Sequence, residues 1–588
     1  ENVYWGDTHL HTQYSTDAGM IGTTLRPEDA YRFAMGEEVT SSSGVRARLV
    51  RPLDFLVVSD HAENLGLPIA VKEAMPALLD NPWGRQVYDL SQSGDGYAAF
   101  YKWAIDGMLP GLDPLKEPSI NADIWQRQVT TADQFNKPGY FTALIGYEWT
   151  TTRNAKNLHR VVIFRDDASK AGQIVPFSSF DSPDPEDLWT WLEDYEQSTQ
   201  GQVLAIPHNG NLSNGLMFAP TRQDGSPIDA DYATRRARWE PLTEVTQIKG
   251  DGEAHPWLSP DDEFADFGTW DRGDIGGREA KTQAMLEFEY ARPALRNGLK
   301  HAAATGVNPF KFGMIGASDS HTGLAGTREE NYFGKFSQSE PRAGRWKEYV
   351  VKSPTDDALS LVAYEEVASG LAGVWARENT REALFDALQR KEVYATTGTR
   401  IVVRMFGGWR YRQQDVNSPA MAKIGYREGV PMGGNLPLRI RNKAPVFMLA
   451  ASKDPDGANL DRIQIIKGWL DEDGETREQV YNVAVSDGRK IGRKGKGKVK
   501  TVGSTVNFSK ATYSNEIGAV ELRALWTDPD FDKTQRAFYY ARVLEIPTPS
   551  WQAYDARAFG DEFPESVKMS IQDRAYTSPI WYTPPEED

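Results

Sequence analysis

Through its first four hundred residues the chain alternates short apolar runs of strand length with stretches that carry a helical period. The strand candidates are Leu53–Ser59, Tyr140–Gly146, Leu158–Phe164, Gln202–Ile206, Thr243–Ile248 and Phe310–Gly316. The helix candidates include Pro27–Met35, Pro185–Tyr195, Ala280–Asn297 and Arg381–Arg390. Alternation of this kind predicts an α/β fold with a parallel sheet, closed as a barrel or open, whose chemistry sits at the carboxyl ends of the strands. His61, Glu148, His208 and Asp319 each fall just after a strand candidate.

Two stretches break the rhythm. Residues 65–138 are rich in aromatics and prolines without a clear strand, which predicts a helical insertion, either a lid or a plain excursion. Residues 217–274 form a second aromatic, loop-like insertion. From about residue 401 to 588 the pattern changes to strand-length runs such as Val402–Phe406, Val446–Ala450, Arg462–Ile466, Val480–Val485 and Ala519–Trp526, separated by Gly/Pro/Asp turns. That predicts a C-terminal antiparallel β domain of sandwich type. The basic run Arg489–Lys498 reads as a solvated hairpin loop, and Asp528-Pro529-Asp530-Phe531-Asp532 as a turn rather than a calcium loop.

Composition narrows the function. At 588 residues the chain is expected to exceed a single core. The net charge of −17, from 66 basic and 83 acidic residues, argues against a nucleic-acid partner, which would need a broad basic face. No apolar run is long enough to span a membrane. Cysteine is absent, so any metal must be held by nitrogen and oxygen donors. A site motif already begins at position 6 of a chain that starts with Glu1, as in a processed, exported (periplasmic) protein; a trimmed sequence or a cytoplasmic protein is the alternative.

Histidine carries the strongest signal. Six of the eight histidines sit at the ends of apolar runs, most beside acidic residues: Asp7-Thr8-His9-Leu10-His11, Ser59-Asp60-His61, Leu158-His159, Pro207-His208-Asn209 and Asp319-Ser320-His321. Imidazole and carboxylate are the usual ligands of zinc, manganese and iron. His9 and His11, two apart, share one face of a strand, and Asp319 and His321 repeat that spacing. Asp17 follows in a loop that can fold back with a carboxylate, and Glu148 has two oxygens with which to bridge two ions. Asp60 either ligates or orients a neighbouring histidine. His301, alone on a helical stretch, reads as a surface residue.

These motifs, in this order, resemble the polymerase and histidinol phosphatase (PHP) superfamily, and the wording around them resembles a branch known mainly as a domain of unknown function. The resemblance covers roughly residues 1–400 and implies a distorted (β/α)7 barrel holding two or three divalent ions (Zn, Mn or Fe). It implies one ion on His9, His11, Glu148 and Asp319, a second on Glu148, His159 and His208, and a third on Asp17, His61 and His321. Many members have histidine where Asp17 stands.

Such ligands point to a metal-dependent hydrolase of phosphate mono- or diesters, in which a bridging water loses its proton and attacks a small anionic ester. Lys249 and Arg160 are candidates for holding substrate oxygens, and His255 for protonating the leaving group; ordinary salt bridges and a loop histidine are the plain alternatives. Glu253, in the same segment as Lys249, is a candidate for backing the ligands or touching substrate, and Asn209, Asn211 and Asn214 are candidates for lining the mouth. A sulfatase or a carboxylic ester or amide hydrolase would use the same ligands, and a non-catalytic, metal-stabilised binding module is the reading from a different class.

Overall fold

The computed structural model describes residues 1–326, 328–440 and 442–585. The principal strands of the first part are β1 (Asn2–Leu10), β2 (Phe55–Val58), β3 (Thr142–Trp149), β4 (Arg160–Phe164), β5 (Val203–Pro207), β6 (Leu242–Gln247), β7 (Gly313–Gly316), β8 (Leu371–Ala376) and β9 (Val393–Thr396). Those of the second part are β10 (Val402–Gly408), β11 (Gly429–Pro431), β12 (Val446–Ser452), β13 (Leu460–Leu470), β14 (Thr476–Val485), β15 (Glu521–Thr527), β16 (Ala537–Glu545), β17 (Arg574–Thr577) and β18 (Ile580–Tyr582).

The fold is mixed α/β, built on one sheet of order β14-β13-β16-β17-β9-β8-β1-β2-β3-β4-β5, with β18 pairing β16. Strands β2 and β3 are buried along their whole length, β2 as an unbroken apolar run and β3 with Glu148 as its one charged residue. Only the β1–β2 and β2–β3 pairs of this sheet are parallel; β4 runs antiparallel to both β3 and β5, and β8 antiparallel to β1. A third parallel pair, β6–β7, stands apart. Among the described residues no ladder joins β5 to β6 or β7 to β1, where a single bridge, Leu10 to Ser320, is the link.

The expected parallel barrel is therefore not closed by hydrogen bonds. Closure needs strands of consistent tilt and stagger. The connection 150–159 contains one short 3₁₀ turn and no crossover helix, so β4 must return antiparallel to β3. The β1–β2 register slips between Asp7 and Leu10, an irregularity that spans Thr8 and His9. Gly6 is obligatory just before it, because a Cβ there would lie 2.5 Å from the Phe55 ring.

Helices cover residues 67–135, the longest being Pro118–Phe135. Its Gln128 donates to the carbonyls of Val58 and Gly146, at 3.1 and 3.0 Å, tying the helix to the ends of β2 and β3. The segment 217–274 is more than a loop, since it contains the helix Ala230–Trp239 as well as β6. The helix expected over 280–297 is split into Gln283–Leu286 and Ala291–Thr305. Pro293 explains the break, because proline is tolerated in the first turn of a helix and not further in.

The C-terminal strands do not form a separate sandwich. Five of them (β13, β14, β16, β17 and β18) belong to the large sheet, and β17 pairs directly with β9. The remaining four form a sheet of order β11-β10-β12-β15. Phe447, Trp526, Tyr481 and Tyr539 pack together between the two sheets, with ring centroids 4.6–6.3 Å apart. Lys494 and Lys496 of the basic run pair with Asp530, at 2.7 and 2.9 Å, and Lys467 with Asp528 at 2.7 Å, so lysines neutralise the Asp528–Asp532 turn. Among the described residues no helix is long and apolar enough to cross a membrane.

Candidate metal centre

The strand ends converge on a buried cluster of imidazoles and carboxylates. His9 lies within β1 and His11 just beyond it, His61 follows β2, Glu148 lies near the end of β3, His208 follows β5, and Asp319 and His321 follow β7. His159 is the exception, because it precedes its strand. Since β4 runs antiparallel between β3 and β5, its start lies beside their ends, and Arg160 faces both Trp149 and Pro207 across the ladders.

Glu148 is the hub. Its Oε2 is 3.1 Å from His9 Nε2 and 3.0 Å from His11 Nε2, while its Oε1 is 2.8 Å from His159 Nδ1 and 3.1 Å from His208 Nε2. The two imidazole nitrogens of His9 and His11 are themselves 3.0 Å apart, and Asp319 Oδ1 is 3.4 Å from each. In a third group Asp17 Oδ2 is 3.2 Å from His61 Nε2 and 2.8 Å from His321 Nε2, with His11 alongside.

Separations of 3.0–3.4 Å match the edges that a coordination polyhedron would have. Bonds of about 2.0–2.1 Å to zinc place octahedral neighbours about 2.9 Å apart and tetrahedral ones about 3.4 Å apart. Three of the outer nitrogens are engaged, His9 Nδ1 on Glu244 Oε2 at 3.1 Å, His11 Nδ1 on Ser15 Oγ at 2.9 Å and His159 Nε2 on Thr152 Oγ1 at 2.9 Å, whereas His208 Nδ1 is buried without a partner. An Nδ1–H donated to Glu244 leaves the inner lone pair of His9 free for a cation. The donor set therefore fits divalent metal at up to three positions sharing Glu148 and His11.

A family model described as "Protein of unknown function (DUF3604)" matches residues 1–584. The chain belongs to the DUF3604 family. No curated protein and no solved structure matches it.

Electrostatics in this DUF3604 chain favour a bound cation. Burial would lower the pKa of His9, but Asp319, Glu244 and Glu148 outweigh it and hold the imidazole up to about 10. His61 is likewise raised, to about 9, against burial, by Asp17 and Glu148. Burial dominates for His159, pushed down to about 3, and for His208 and His321, also lowered. Glu148, Asp17 and Asp319 are kept well below the usual carboxylate range because neighbouring cationic groups overcome the cost of burial. Without metal, protons on His9 and His61 supply the positive charge that these carboxylates demand.

The remaining sequence candidates divide. Lys249 is at the centre, its Nζ 2.7 Å from Asp319 Oδ2. Asp60 is one layer out, accepting from the Thr12 amide at 2.6 Å and the Thr12 hydroxyl at 2.7 Å, which fixes the chain just after His11. Asn209 accepts from Gln247 at 2.8 Å, and Gln247 also donates to Asp319 at 2.8 Å. Asn211 donates to the Lys249 carbonyl at 3.2 Å, and Asn214 to that of Glu279 at 3.2 Å.

Three candidates lie elsewhere. Arg160 alternates with His159 along the chain, and its guanidinium is buried against Glu240 at 3.0 Å. Glu253 is buried against Arg292, 2.7 Å away, and Tyr540, within a network that ties the loop after β6 to β16. His255 has both ring nitrogens engaged, Nε2 with Asp271 at 3.1 Å and Nδ1 accepting from the Trp257 amide at 3.1 Å. It makes no contact with the histidine cluster. His301 is half-buried and stacks edge-on against Phe310, so it is not the surface residue expected.

Two residues at the centre escaped the sequence reading. Glu244 orients His9, and Lys335 places its Nζ 2.6 Å from Asp319 Oδ1. Burial lowers Lys335 to about 8 although Asp319 opposes the shift.

Proposed function

We propose that this chain is a metal-dependent phosphoesterase of the PHP type. The observation that carries the reading is Glu148, whose two oxygens face two different sets of imidazoles. A carboxylate so placed suits a bridging ligand between two cations. Divalent ions there would lower the pKa of a bound water towards neutrality and polarise an ester oxygen.

The chain's own groups favour an anionic ester. Lys249 and Lys335 both approach Asp319, so two ammonium groups share one carboxylate and have donors left over for a doubly charged phosphoryl group. Asp319 holds both lysines at the centre, and Asp60 and Gln128 hold the loops that carry the histidines. His255 and Arg160 take no part, because their polar atoms are already engaged. Two lysines at one corner favour an anionic phosphate over a neutral carboxylic ester.

The test is hydrolysis of aryl phosphate monoester, diester, triester and aryl sulfate after loading with Mn, Zn or Fe, with Asp319→Asn as the control. A phosphate preference that Asp319→Asn abolishes is expected. Absence of turnover across the panel, with metal content verified by mass spectrometry, would overturn the assignment.

A further inference from the structure

The histidine centre is not buried evenly. The side chains of His9, His11 and His208 have no exposed surface. Asp17 is the most exposed of the proposed ligands, at 13%, and His61 and His321, which both approach it, follow at 4%. Solvent therefore reaches the centre most freely beside Asp17 and His321. Phe336 stands at this opening. Its ring meets that of His321 edge-on, with centroids 5.0 Å apart and planes at 75°. The Nζ of Lys335 lies 5.7 Å from the same ring centroid. Lys335 is buried, whereas Phe336 keeps part of its surface open.

The turn that carries Phe336 is tied down from several sides. The Phe336 N–H donates to Ser339 Oγ at 3.1 Å, and the Ser337 hydroxyl donates to the Ile21 carbonyl at 3.4 Å. Ile21 ends the helix Thr16–Ile21, which also carries Asp17. From the helical segment 67–135 comes Tyr97, on the helix Gly96–Trp103, whose hydroxyl donates to Gln338 Oε1 at 2.6 Å. Tyr97 is itself 45% exposed. An aromatic ring held in place before binding loses little freedom when a ligand covers it, so its contact area is retained as affinity.

We propose that Phe336 is the specificity-determining wall of the centre and selects phosphate esters of aromatic alcohols, an inference that rests on the phosphoesterase reading. The division of labour falls on consecutive residues: Lys335 meets the anion and Phe336 the organic group. An ester whose phosphoryl oxygens meet Lys335 brings the group on its bridging oxygen beside this ring, within the roughly 4.5–7 Å over which aromatic rings pair. The ring offers neither charge nor hydrogen bond. It discriminates by contact area and by the geometry that aromatic pairs prefer, so a methyl ester gains nothing comparable from it.

Calorimetry of the full chain, loaded with Mn, tests this with phenylphosphonate, methylphosphonate and inorganic phosphate, so that the readout is binding and not turnover. Phenylphosphonate is expected to bind up to about tenfold more tightly than methylphosphonate, the reach of one aromatic pair. Phe336→Ala should remove that preference while phosphate affinity and metal content stay as in the wild type, and Phe336→Tyr should keep it. Should Phe336→Ala fail to fold, Phe336→Leu, which keeps most of the volume without the ring, takes its place. A preference absent from the wild type, or one that survives loss of the ring, would overturn the proposal. So would an equal loss for all three anions, which would make the ring a support for His321 and Lys335 and not a contact for substrate. A ring-dependent preference in a protein that turns over no ester would uphold the subsite and sink the phosphoesterase reading instead.

Discussion

Glu148→Gln isolates the hub of the histidine centre, because it keeps the side chain's shape and removes its charge. In the metal-free protein at neutral pH the charged neighbours are His9 and His61, with nitrogens 3.1 and 3.3 Å from Oε2. At an effective dielectric constant of about 20, each pair is worth roughly 5 kcal/mol of gross attraction. Several kcal/mol of carboxylate desolvation stand against that sum, so a net loss of about 3–5 kcal/mol is expected on breaking a buried pair. In the loaded protein the amide can offer oxygen to one side of the hub only. On the His159–His208 side the other carboxylate near His208 is Glu244, which His9 Nδ1 already engages at 3.1 Å, so at least one ion should be lost. Urea unfolding of chelator-treated protein, followed through its 17 Trp, gives the first quantity, and elemental mass spectrometry gives the second. An unchanged urea midpoint together with an unchanged metal complement would refute the placement of Glu148 between two ion positions.

The histidines of the metal-free centre should together contribute most to stability near pH 6.5. The raised pKa values of His9 and His61 contribute stability that is full below the unfolded value and fades as pH rises through about 9 to 10, while the lowered value of His159 imposes a penalty that grows as pH falls from 6.5 towards about 3. Melting temperatures recorded in chelator would contradict this if they climbed steadily from pH 6 to 9. Arg160→Met should cost about 3 kcal/mol, the low end for a broken buried pair, because Glu240 keeps Arg236 at 3.1 Å. Its kcat and KM per metal-loaded molecule should be unaltered; a raised KM at unchanged stability would instead return Arg160 to the substrate.

Much of the centre was legible because its ligands sit in tight motifs at strand ends, where period-2 alternation places His9 with His11. Strand direction was not legible. Nothing in the apolar run 158–164 distinguishes a parallel from an antiparallel strand, and the reversal of β4 both opens the barrel and turns Arg160 away from the centre. Glu244 left a trace that could have been followed, a lone acid inside the strand candidate 243–248, where an unpaired charge is costly. Lys335 left none, because its loop carries no period and only the tertiary fold brings it to Asp319. The membership of the C-terminal strands in the large sheet was equally hidden, since ladder partners more than a hundred residues apart share no local signal.

That continuous sheet bears on how the gene can be divided. β9 is paired on one side with β8 and on the other with β17, whose residues lie some 180 positions later. A fragment ending near residue 400 would expose Val393–Thr396 as a bare, apolar edge, the kind of surface that recruits other chains into aggregates. Shortening the protein to its histidine-bearing part should give insoluble material, and the unit for expression is the chain through the last described strand, which ends at Tyr582.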